Sequence, residues 1–342
     1  MISLPFELDK TFYKTQHKLL KFPIDNAQWV VRQLLPPEKT IKLTPEEKKA
    51  LESRFERLLE QDIKNVKEGM YPESLLFQLP IFDYIKNLPT AIFEITKMYN
   101  KLKNNKFNDL PDEIDREKFP KYFLRNFHWQ SDGYFSDNSA KIYDLSVELI
   151  FWGGADIMRR QMIPHITKFL QGKNKGDIRL LDVACGTARF LRQLTQAHPE
   201  INIYGIDLSP YYINFARKYF KDNTNVILMS GNAENIEFEN DSFDIVTSVY
   251  LFHELPMEIR QKVFSEMYRV IKPGGLLVIE DSVQLIDGMD IENAIYRFAK
   301  ELHEPFYKDY VKHDLELLIS SAGFKIISSE THGVAKVVAA MK

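Results

Sequence analysis

The sequence predicts an α/β protein: a mostly parallel, seven-stranded sheet with helices on both faces, preceded by a smaller N-terminal α-helical domain. Two observations lead to this prediction. From residue 178 onward, short apolar runs typical of strands buried on both faces alternate with segments of helical spacing. The first 125 residues show amphipathic helical spacing and prolines instead. Alternation of strand and helix indicates parallel strands joined by crossover helices.

Composition narrows the class of protein. The 342 residues suit one large or two modest domains, and 44% hydrophobic residues can form a packed core. A formal net charge of −3 gives no overall attraction to nucleic acid, so we expect no DNA partner. The single cysteine, Cys185, excludes an internal disulfide framework and suits a reducing compartment. Since neither a secretory pattern nor an apolar tract of roughly 20 residues is visible, we expect a cytoplasmic protein without an integral membrane segment.

The N-terminal region, residues 1–125, is predicted to be a helical domain. The run Thr44-Pro-Glu-Glu47 has the pattern of a capping box with a first-turn proline, and apolar residues at one-face spacing follow it. Pro72, Pro80 and Pro89 predict that the next part is divided into short helices.

Residues 126–165 are predicted to be a linker that covers the cofactor of the following domain. Its aromatic residues either belong to the core of an interdomain hinge or cover a ligand, and Tyr134 and Trp129 are the candidates for the second role. Arg159 and Arg160 either hold an acidic group or lie on a solvated helix face.

The candidate site begins where the first strand ends. Asp182 closes an apolar run, the chain breaks at Cys185-Gly186-Thr187, and helical spacing resumes at Phe190. The free N–H groups of a helix start point toward whatever lies over such a turn. Asp207 ends the second strand roughly 20 residues later, the distance at which nucleotide-binding units place a carboxylate near ribose hydroxyls.

The remaining elements follow in alternation. Ser209-Pro210 is predicted to cap a helix, and Gly333 to turn the chain between the last two strands. The later strands are predicted at 201–207, 226–229, 242–249, 276–280, 324–329 and 335–340.

From about Leu180 to its end, the chain resembles the class I S-adenosylmethionine-dependent methyltransferases, most closely the type 11, ubiquinone-biosynthesis-like group. The turn at Asp182–Gly186, the acidic end at Asp207 and the run Gly231-Asn-Ala-Glu234 carry this resemblance. It implies a Rossmann-like sheet with an antiparallel last strand. It also implies that residues 166–342 form the methyltransferase domain, with a helical insertion at 285–322 where the family builds its acceptor lid.

The resemblance further implies the cofactor S-adenosyl-L-methionine and the product S-adenosyl-L-homocysteine. The turn would lie under the methionine and ribose, and Asp207 would accept from both ribose hydroxyls. Asn232 replaces the family's usual aspartate at the adenine amino group but keeps an acceptor oxygen. The implied cofactor-binding residues are Asp182, Ala184, Cys185, Gly186, Asp207, Leu208, Asn232, Ala233, Tyr250 and Tyr143.

Two alanines depart from the family pattern. Ala184 and Ala188 stand where related turns often carry glycine, and their methyl groups reduce the clearance between backbone and ligand. A non-catalytic scaffold that only binds the cofactor is therefore one alternative. A nicotinamide-dependent oxidoreductase would need Gly-x-Gly-x-x-Gly, of which only Gly186 is present.

Three residues are the catalytic candidates, and no metal site is predicted. His253, in the loop after the fourth strand, is a general base near pH 7 or a structural histidine. Glu254 orients His253 or binds the donor, and Tyr134 covers the methionine end of the cofactor or forms a wall of the acceptor pocket. Beyond the fifth strand, Glu280, Asp281 and Gln284 are predicted to face the active edge, with helix capping as the alternative for Asp281. An aromatic lid is predicted from His303, Phe306, Tyr307 and Tyr310.

The predicted acceptor is a small molecule, aromatic, quinol-like or lipidic, that is methylated at oxygen or carbon. A protein side chain or RNA is the alternative acceptor. The Asn-Pro-Pro-Tyr loop that serves planar amino groups is absent after the fourth strand, where Tyr250-Leu-Phe-His253 stands. A homodimer is also considered.

Overall fold

Seven strands form one sheet in the part of the chain that this computed structural model describes, which is residues 11, 13–17, 41–78, 81–104, 106, 108–127, 130–301 and 304–342. The strands are β1 (Arg179–Val183), β2 (Asn202–Asp207), β3 (Val226–Ser230), β4 (Phe243–Val249), β5 (Ile271–Ser282), β6 (Lys325–His332) and β7 (Ala335–Met341). Their order across the sheet is β3-β2-β1-β4-β5-β7-β6. β1 to β5 run parallel and β7 is antiparallel to both neighbours, so the predicted sheet is confirmed.

Helices lie before the sheet, between its strands and between β5 and β6. They are α1 (Pro45–Lys67), α2 (Ile81–Lys103), α3 (Asp137–Ile150), α4 (Ala155–Arg160), α5 (Ile163–Phe169), α6 (Arg189–Ala197), α7 (Pro210–Arg217), α8 (Met257–Val270), α9 (Glu292–Glu301), α10 (Tyr307–Tyr310) and α11 (Leu315–Ser321). Short 3₁₀ turns lie at Glu73–Phe77, Arg116–Lys118, Lys175–Asp177, Phe252–Glu254 and Met289–Ile291. In the described part of the chain, no helix combines the length and apolar character that crossing a bilayer requires.

Both faces of the sheet are covered, as the apolar strand sequences predict. Leu181 of β1 packs in one cluster with Phe264 of α8. Its neighbour Leu180 points the opposite way, into a cluster with Ile166 of α5 and Leu191 of α6. Burying each such side chain stabilises the fold by about 1.5–3 kcal/mol. The carboxyl ends of β1, β2 and β4 therefore meet at one rigidly supported edge.

Helix α1 begins at the predicted capping box and contacts the segment after β5. Thr44 Oγ1 accepts from Glu47 N (3.2 Å), and Thr44 N donates to Glu47 Oε2 (2.9 Å). Farther along, Arg54 Nε donates to Asp290 Oδ2 (3.0 Å), and Glu47 Oε1 accepts from Asn293 N (2.7 Å). The N-terminal region is thus joined to the residues between β5 and β6.

Pro89 does not end a helix, so the predicted break at this residue is wrong. Helix α2 continues through Pro89 to Lys103. Proline in a helix interior removes one hydrogen bond and crowds the carbonyl four residues earlier, but its fixed φ is itself helical. Two residues later, Ala91 packs against Leu145 and Leu149 of α3. Tertiary packing therefore outweighs the local cost.

Candidate functional site

The turn after β1 leaves one side open. The chain enters α6 through Ala184, Gly186 and Ala188, whose φ angles of 58°, 54° and 57° lie in the left-handed region. Cys185 N donates to Ile206 O (2.9 Å), which joins the turn to β2. A Cβ placed on Gly186 would meet no atom within 4 Å. The space beside Gly186 is therefore available to a ligand.

Asp207 stands at the end of β2, held by two backbone groups. Gly186 N donates to Asp207 Oδ2 (2.9 Å), and Ser209 N donates to Oδ1 (2.8 Å). Burial raises the pKa of this carboxyl to about 6, against the opposing effect of these two bonds. Each ionised oxygen can accept a further hydrogen bond. Asp207 is therefore oriented to receive hydroxyl donors.

Asp182, at the end of β1, is almost fully buried. It accepts from Thr247 Oγ1 of β4 (2.7 Å). Burial raises the pKa of Asp182 to about 7, and the charge of Asp207 adds to this rise. The two carboxyls at the strand ends thus favour cationic or hydrogen-donating partners.

Two adjoining cavities lie along this edge, of about 90 and 40 Å³. They share Tyr143, Ala184, Gly186, Val249 and Tyr250, so they form one elongated cleft. Every cofactor-binding candidate from the sequence lines this cleft, as do Tyr134 and Glu254. The larger cavity adds Asp207, Leu208, Asn232 and Ala233, and the smaller adds Asp182, Cys185 and Arg159.

Aromatic rings form one wall of the larger cavity. Tyr134 stacks on Phe127 at a centroid distance of 5.2 Å and meets Tyr212 edge-on at 5.3 Å. The aromatic side chains of the predicted linker, Phe127 and Tyr134, thus pack against each other and also line the cavity. The sequence analysis does not predict that Tyr122 and Tyr212 line the cavity. The helix predicted to start at Ser209 contains Tyr212 in its first turn, and this position was the available indication for that residue. Trp129 lies outside the described residues.

The alanines and the cysteine of the turn differ in what they face. Ala184 lines both cavities. Ala188 is buried in the core cluster with Leu191, so its methyl group takes no room from the cleft. Burial raises the pKa of the Cys185 thiol well above its usual range, and the sulfur packs close to Gly205 of β2. Cys185 is therefore a neutral packing residue at neutral pH.

His253 lies behind the cleft wall rather than on it. The side chain is buried, and its Nδ1 lies 2.6 Å from Asp281 Oδ1. Tyr134 Oη donates to Glu254 Oε1 (2.6 Å), so two of the catalytic candidates are in direct contact at the cavity. Burial lowers the pKa of His253, but the carboxylates of Asp281, Glu304 and Glu254 outweigh this and raise it above its usual value.

The predicted active-edge residues at the end of β5 and beyond it, Glu280, Asp281 and Gln284, border neither of the two cavities. Asp281 accepts from Phe252 N, the first N–H of the 3₁₀ turn at Phe252–Glu254, and lies 2.6 Å from His253 Nδ1, so it supports the start of that turn and holds the histidine. Gln284 is engaged with the segment after β5, where it donates to Tyr310 O (2.8 Å). Glu280 is fully buried, and burial raises its pKa to about 8 against the influence of Arg159.

The aromatic residues between β5 and β6 surround His253. Tyr307 and Tyr310 present their rings edge-on to the imidazole, with centroids 5.8 and 6.1 Å away. Phe306 lies below the guanidinium of Arg125, 5.8 Å from its carbon. The described ring contacts of Tyr307 and Tyr310 thus involve His253, and that of Phe306 involves Arg125. His303 lies outside the described residues.

Arg159 and Arg160 are buried, so the solvated-face alternative is wrong. Arg159 donates to Asp156 Oδ1 (3.0 Å) and lies 3.8 Å from Glu148. Arg160 Nε donates to Asp62 Oδ1 of α1 (3.1 Å). The acidic groups that these arginines hold belong to the protein itself, and one of them comes from a distant part of the chain.

Comparison with known proteins identifies part of the chain. Residues 180–275 match the family described as "Methyltransferase domain". A demethylmenaquinone methyltransferase from Listeria welshimeri is 34% identical over 140 residues, which cover 38% of this chain and 58% of that protein. A sterol 24-C-methyltransferase from Debaryomyces hansenii is 29% identical over 157 residues, 44% of this chain and 40% of that protein.

A solved SAM-dependent methyltransferase from Aquifex aeolicus aligns with 60% of this chain and 98% of its own, at a TM-score of 0.42 and 20% identity. The chain spans less than two thirds of the length of the curated relatives described above. The match to the methyltransferase-domain family thus spans residues 180–275, the part of the chain that contains the motifs around Asp182 and Asp207.

Proposed function

We propose that the chain is an S-adenosylmethionine-dependent methyltransferase that acts on a small-molecule acceptor, aromatic, quinol-like or lipidic, at oxygen or carbon. The observation that carries this proposal is the single cleft in which Gly186, Asp207 and Asn232 meet at the carboxyl edge of the sheet. Ligands of open α/β sheets bind at this edge. The relatives named for demethylmenaquinone and a sterol support a small-molecule acceptor.

The larger cavity suits both the adenosine part of the cofactor, at Gly186, Asp207 and Asn232, and the acceptor, beside Tyr134 and Glu254. Gly186 offers open space, and Asp207 is oriented to accept from the ribose hydroxyls. Asn232 Oδ1 accepts from Glu234 N (2.9 Å), which fixes the amide beside the cavity. The carbonyl oxygen of that amide has a second lone pair for an adenine amino group. The residues present therefore fit the cofactor.

The smaller cavity suits the methionine part. Arg159 and Asp182 both line it, so a permanent cation and a carboxyl face the same space. An amino acid end carries one group of each opposite charge, and charge-assisted hydrogen bonds of this kind are the strong ones. Tyr143 and Tyr250 line both cavities, at the place where the two spaces adjoin.

The chain's own residues supply positioning, exclusion of water and a proton acceptor. When bound, the cofactor supplies an electrophilic methyl group on a sulfonium centre. Phe127, Tyr134 and Tyr143 exclude water from the reacting end, which favours displacement at a charged centre. We assign proton acceptance to His253, supported by Glu254 and Tyr134.

The organisation of the chain is part of the proposal. We divide it into a helical domain at 1–125, a covering segment at 126–165 and a methyltransferase domain at 166–342 with its insertion at 285–322. The contacts of α1 with Asp290 and Asn293 support a role for the helical domain in shaping access. A cytoplasmic location, in keeping with the single buried thiol, and a homodimer complete the proposal.

Calorimetric titration with S-adenosylmethionine and S-adenosylhomocysteine tests the proposal. The wild type should bind both, and Asp207→Ala should weaken binding at least about hundredfold, since each lost bond to a charged group is worth about 1.5–3 kcal/mol. The exposed Asp222→Ala is the matched control and should bind as the wild type does. A folded wild type that binds neither compound would overturn the proposal.

A further inference from the structure

A group of ionisable side chains leads from the cleft into the interior. Asp281, His253 and Glu304 are 0%, 2% and 3% exposed, whereas Glu254 reaches the cavity wall. A ring nitrogen of His253 and carboxylate oxygens of Glu254 and Glu304 all lie within 4.8 Å of one another. Tyr134 Oη donates to Glu254 Oε1 from the cavity side. The polar groups therefore lie close together between the cavity and the histidine, and a small side-chain movement would bring Glu254 into hydrogen-bond range of the ring.

Asp281 is the rigid end of this path. Phe252 N, from the loop after β4, donates to Asp281 Oδ2 (2.7 Å), and Ser282 N donates to Oδ1 (2.7 Å). Asp281 Oδ1 also lies 2.6 Å from His253 Nδ1. Both oxygens of Asp281 already act as acceptors for backbone N–H groups, so Nδ1 of His253 is the donor and carries the hydrogen. Nε2 is then the nitrogen that can take up a proton.

The surroundings of the imidazole favour its positive form. The ionisable groups around it are Tyr250 and Glu254 from the loop after β4, Asp281 from β5, Arg260 from α8, and Glu304, Tyr307 and Tyr310 from the segment between β5 and β6. Arg260 donates to Phe252 O and forms a salt bridge with Asp309, so its guanidinium is engaged by these groups rather than by His253. The carboxylates outnumber the cations near the ring, in agreement with the raised pKa of His253.

We propose that these residues form a proton relay in which Glu254 takes a proton from the acceptor at the cavity wall and passes it to Nε2 of His253. Asp281 is the positioning residue that holds the imidazole and balances the charge it gains. One proton moves: the acceptor's O–H or C–H bond breaks, its electron pair stays on the acceptor, and a new bond forms to a carboxylate oxygen and then to nitrogen. The inference rests on the proposed methyltransferase function.

The relay explains how a histidine behind the wall can serve the cleft. His253 itself does not border either cavity among the described residues, whereas Glu254 and Tyr134 do. A carboxylate at the wall alone would return its proton to the acceptor. A buried histidine with a raised pKa beside it draws the proton away.

Nitrogen-15 NMR of the histidine side chains tests the relay on the full-length protein, with His253→Gln used to assign the signal. In the wild type, His253 should titrate above pH 6.5 with its neutral form protonated at Nδ1. Asp281→Asn should lower that pKa by at least one unit, a tenfold change in proton affinity. Glu254→Gln should lower it measurably, because Glu254 faces the ring.

Two matched variants serve as controls, and the wild type alone can refute the relay. The first control is Asp287→Asn, which changes a carboxylate that lies just after β5 and pairs with Lys336. The second is Glu258→Gln, at an exposed position of α8. Both should leave the His253 titration unchanged. A wild-type pKa at or below 6.5, or no response to Glu254→Gln, would overturn the relay. Stoichiometric binding of Zn²⁺ or Mn²⁺ that shifts the His253 signal would also overturn it and indicate a metal site instead.

Calorimetry with S-adenosylhomocysteine on the same samples separates this inference from the proposed function. Wild-type protein and Asp281→Asn should bind it equally, because Asp281 lies behind the cleft. Loss of binding in every sample would count against the methyltransferase function, while the His253 titration would still decide whether the relay groups are coupled.

Discussion

Two sets of buried carboxyl groups in this protein differ in their partners. Asp62, Asp144 and Asp156 each pair with a guanidinium, from Arg160, Arg192 and Arg189 respectively. The pKa of Asp144 and of Asp156 is lowered, because these cations outweigh the opposing effect of burial. Asp144 and Asp156 are therefore held in their ionised form, and all three carboxylates are engaged within the protein.

Asp182, Asp207 and Glu280 form the second set. Among the described residues, none of them takes part in a salt bridge, and burial raises their pKa values to about 7, 6 and 8. A carboxyl left with neutral donors only is costly to ionise, so it gains from a partner that arrives with a ligand. Asp182 and Asp207 line the cleft, whereas Glu280 borders neither cavity among the described residues, so the paired carboxylates support the fold and the two strand-end carboxyls serve the cleft.

The largest expected effect comes from breaking a pair of the first set. Asp62→Ala leaves Arg160 buried without its carboxylate, which should cost about 3–5 kcal/mol of unfolding free energy. Urea denaturation measures the change. Glu60 lies in the same helix as Asp62, and its exposed carboxylate pairs with Lys14. Glu60→Ala should therefore lower the unfolding free energy by no more than about 1 kcal/mol. Equal losses in both variants would refute the distinction.

Removing a charge from the second set should have the opposite sign. The native state binds more protons to Asp182 than the unfolded state does between pH about 4 and about 7, so this residue makes the unfolding free energy fall as pH rises through that window. Asp182→Asn keeps an acceptor for Thr247 and should raise stability at pH 8 by on the order of 1–3 kcal/mol. Denaturation at pH 5 and pH 8 checks this, and lower stability at pH 8 would contradict it.

Cofactor binding should depend on pH through Asp207. The ribose hydroxyls donate to the ionised carboxylate, so affinity should rise with pH through about 6. Protonation of this one group should make binding of S-adenosylhomocysteine about fourfold weaker at pH 5.5 than at pH 7.5. Calorimetry at the two pH values measures the ratio, and stronger binding at pH 5.5 would show that another group dominates.

The smallest expected effect concerns the alanines of the turn. Ala184 has a left-handed φ of 58°, a conformation that is strained for a residue with a side chain. Ala184→Gly relieves this strain and should stabilise the protein by up to about 1 kcal/mol. It also clears a methyl group from the cleft and should tighten cofactor binding slightly. Ala188→Gly should leave binding unchanged, because that methyl group lies in the core. Thermal melting and calorimetry distinguish the two.

Local sequence patterns are enough to predict the sheet and the strand-end residues of the cleft, but not its aromatic residues Tyr122 and Tyr212. Asp182 and Asp207 were recognisable because strand ends and tight turns follow from local patterns of apolar residues and glycine. Parallel strands place their carboxyl ends at one edge, so local patterns are enough to bring these residues together. The capping box at Thr44 was equally local.

The pairing of the buried charges, by contrast, follows from contacts between distant segments. Asp62 and Arg160 are 98 residues apart, and the 28-residue interval from His253 to Asp281 includes helix α8 and most of β5. Pro89 likewise stays helical because α3 packs beside it. Hydrogen bonds and ion pairs between distant segments depend on side-chain positions that no local periodicity encodes. The choice between a structural and a catalytic carboxylate therefore required the folded chain.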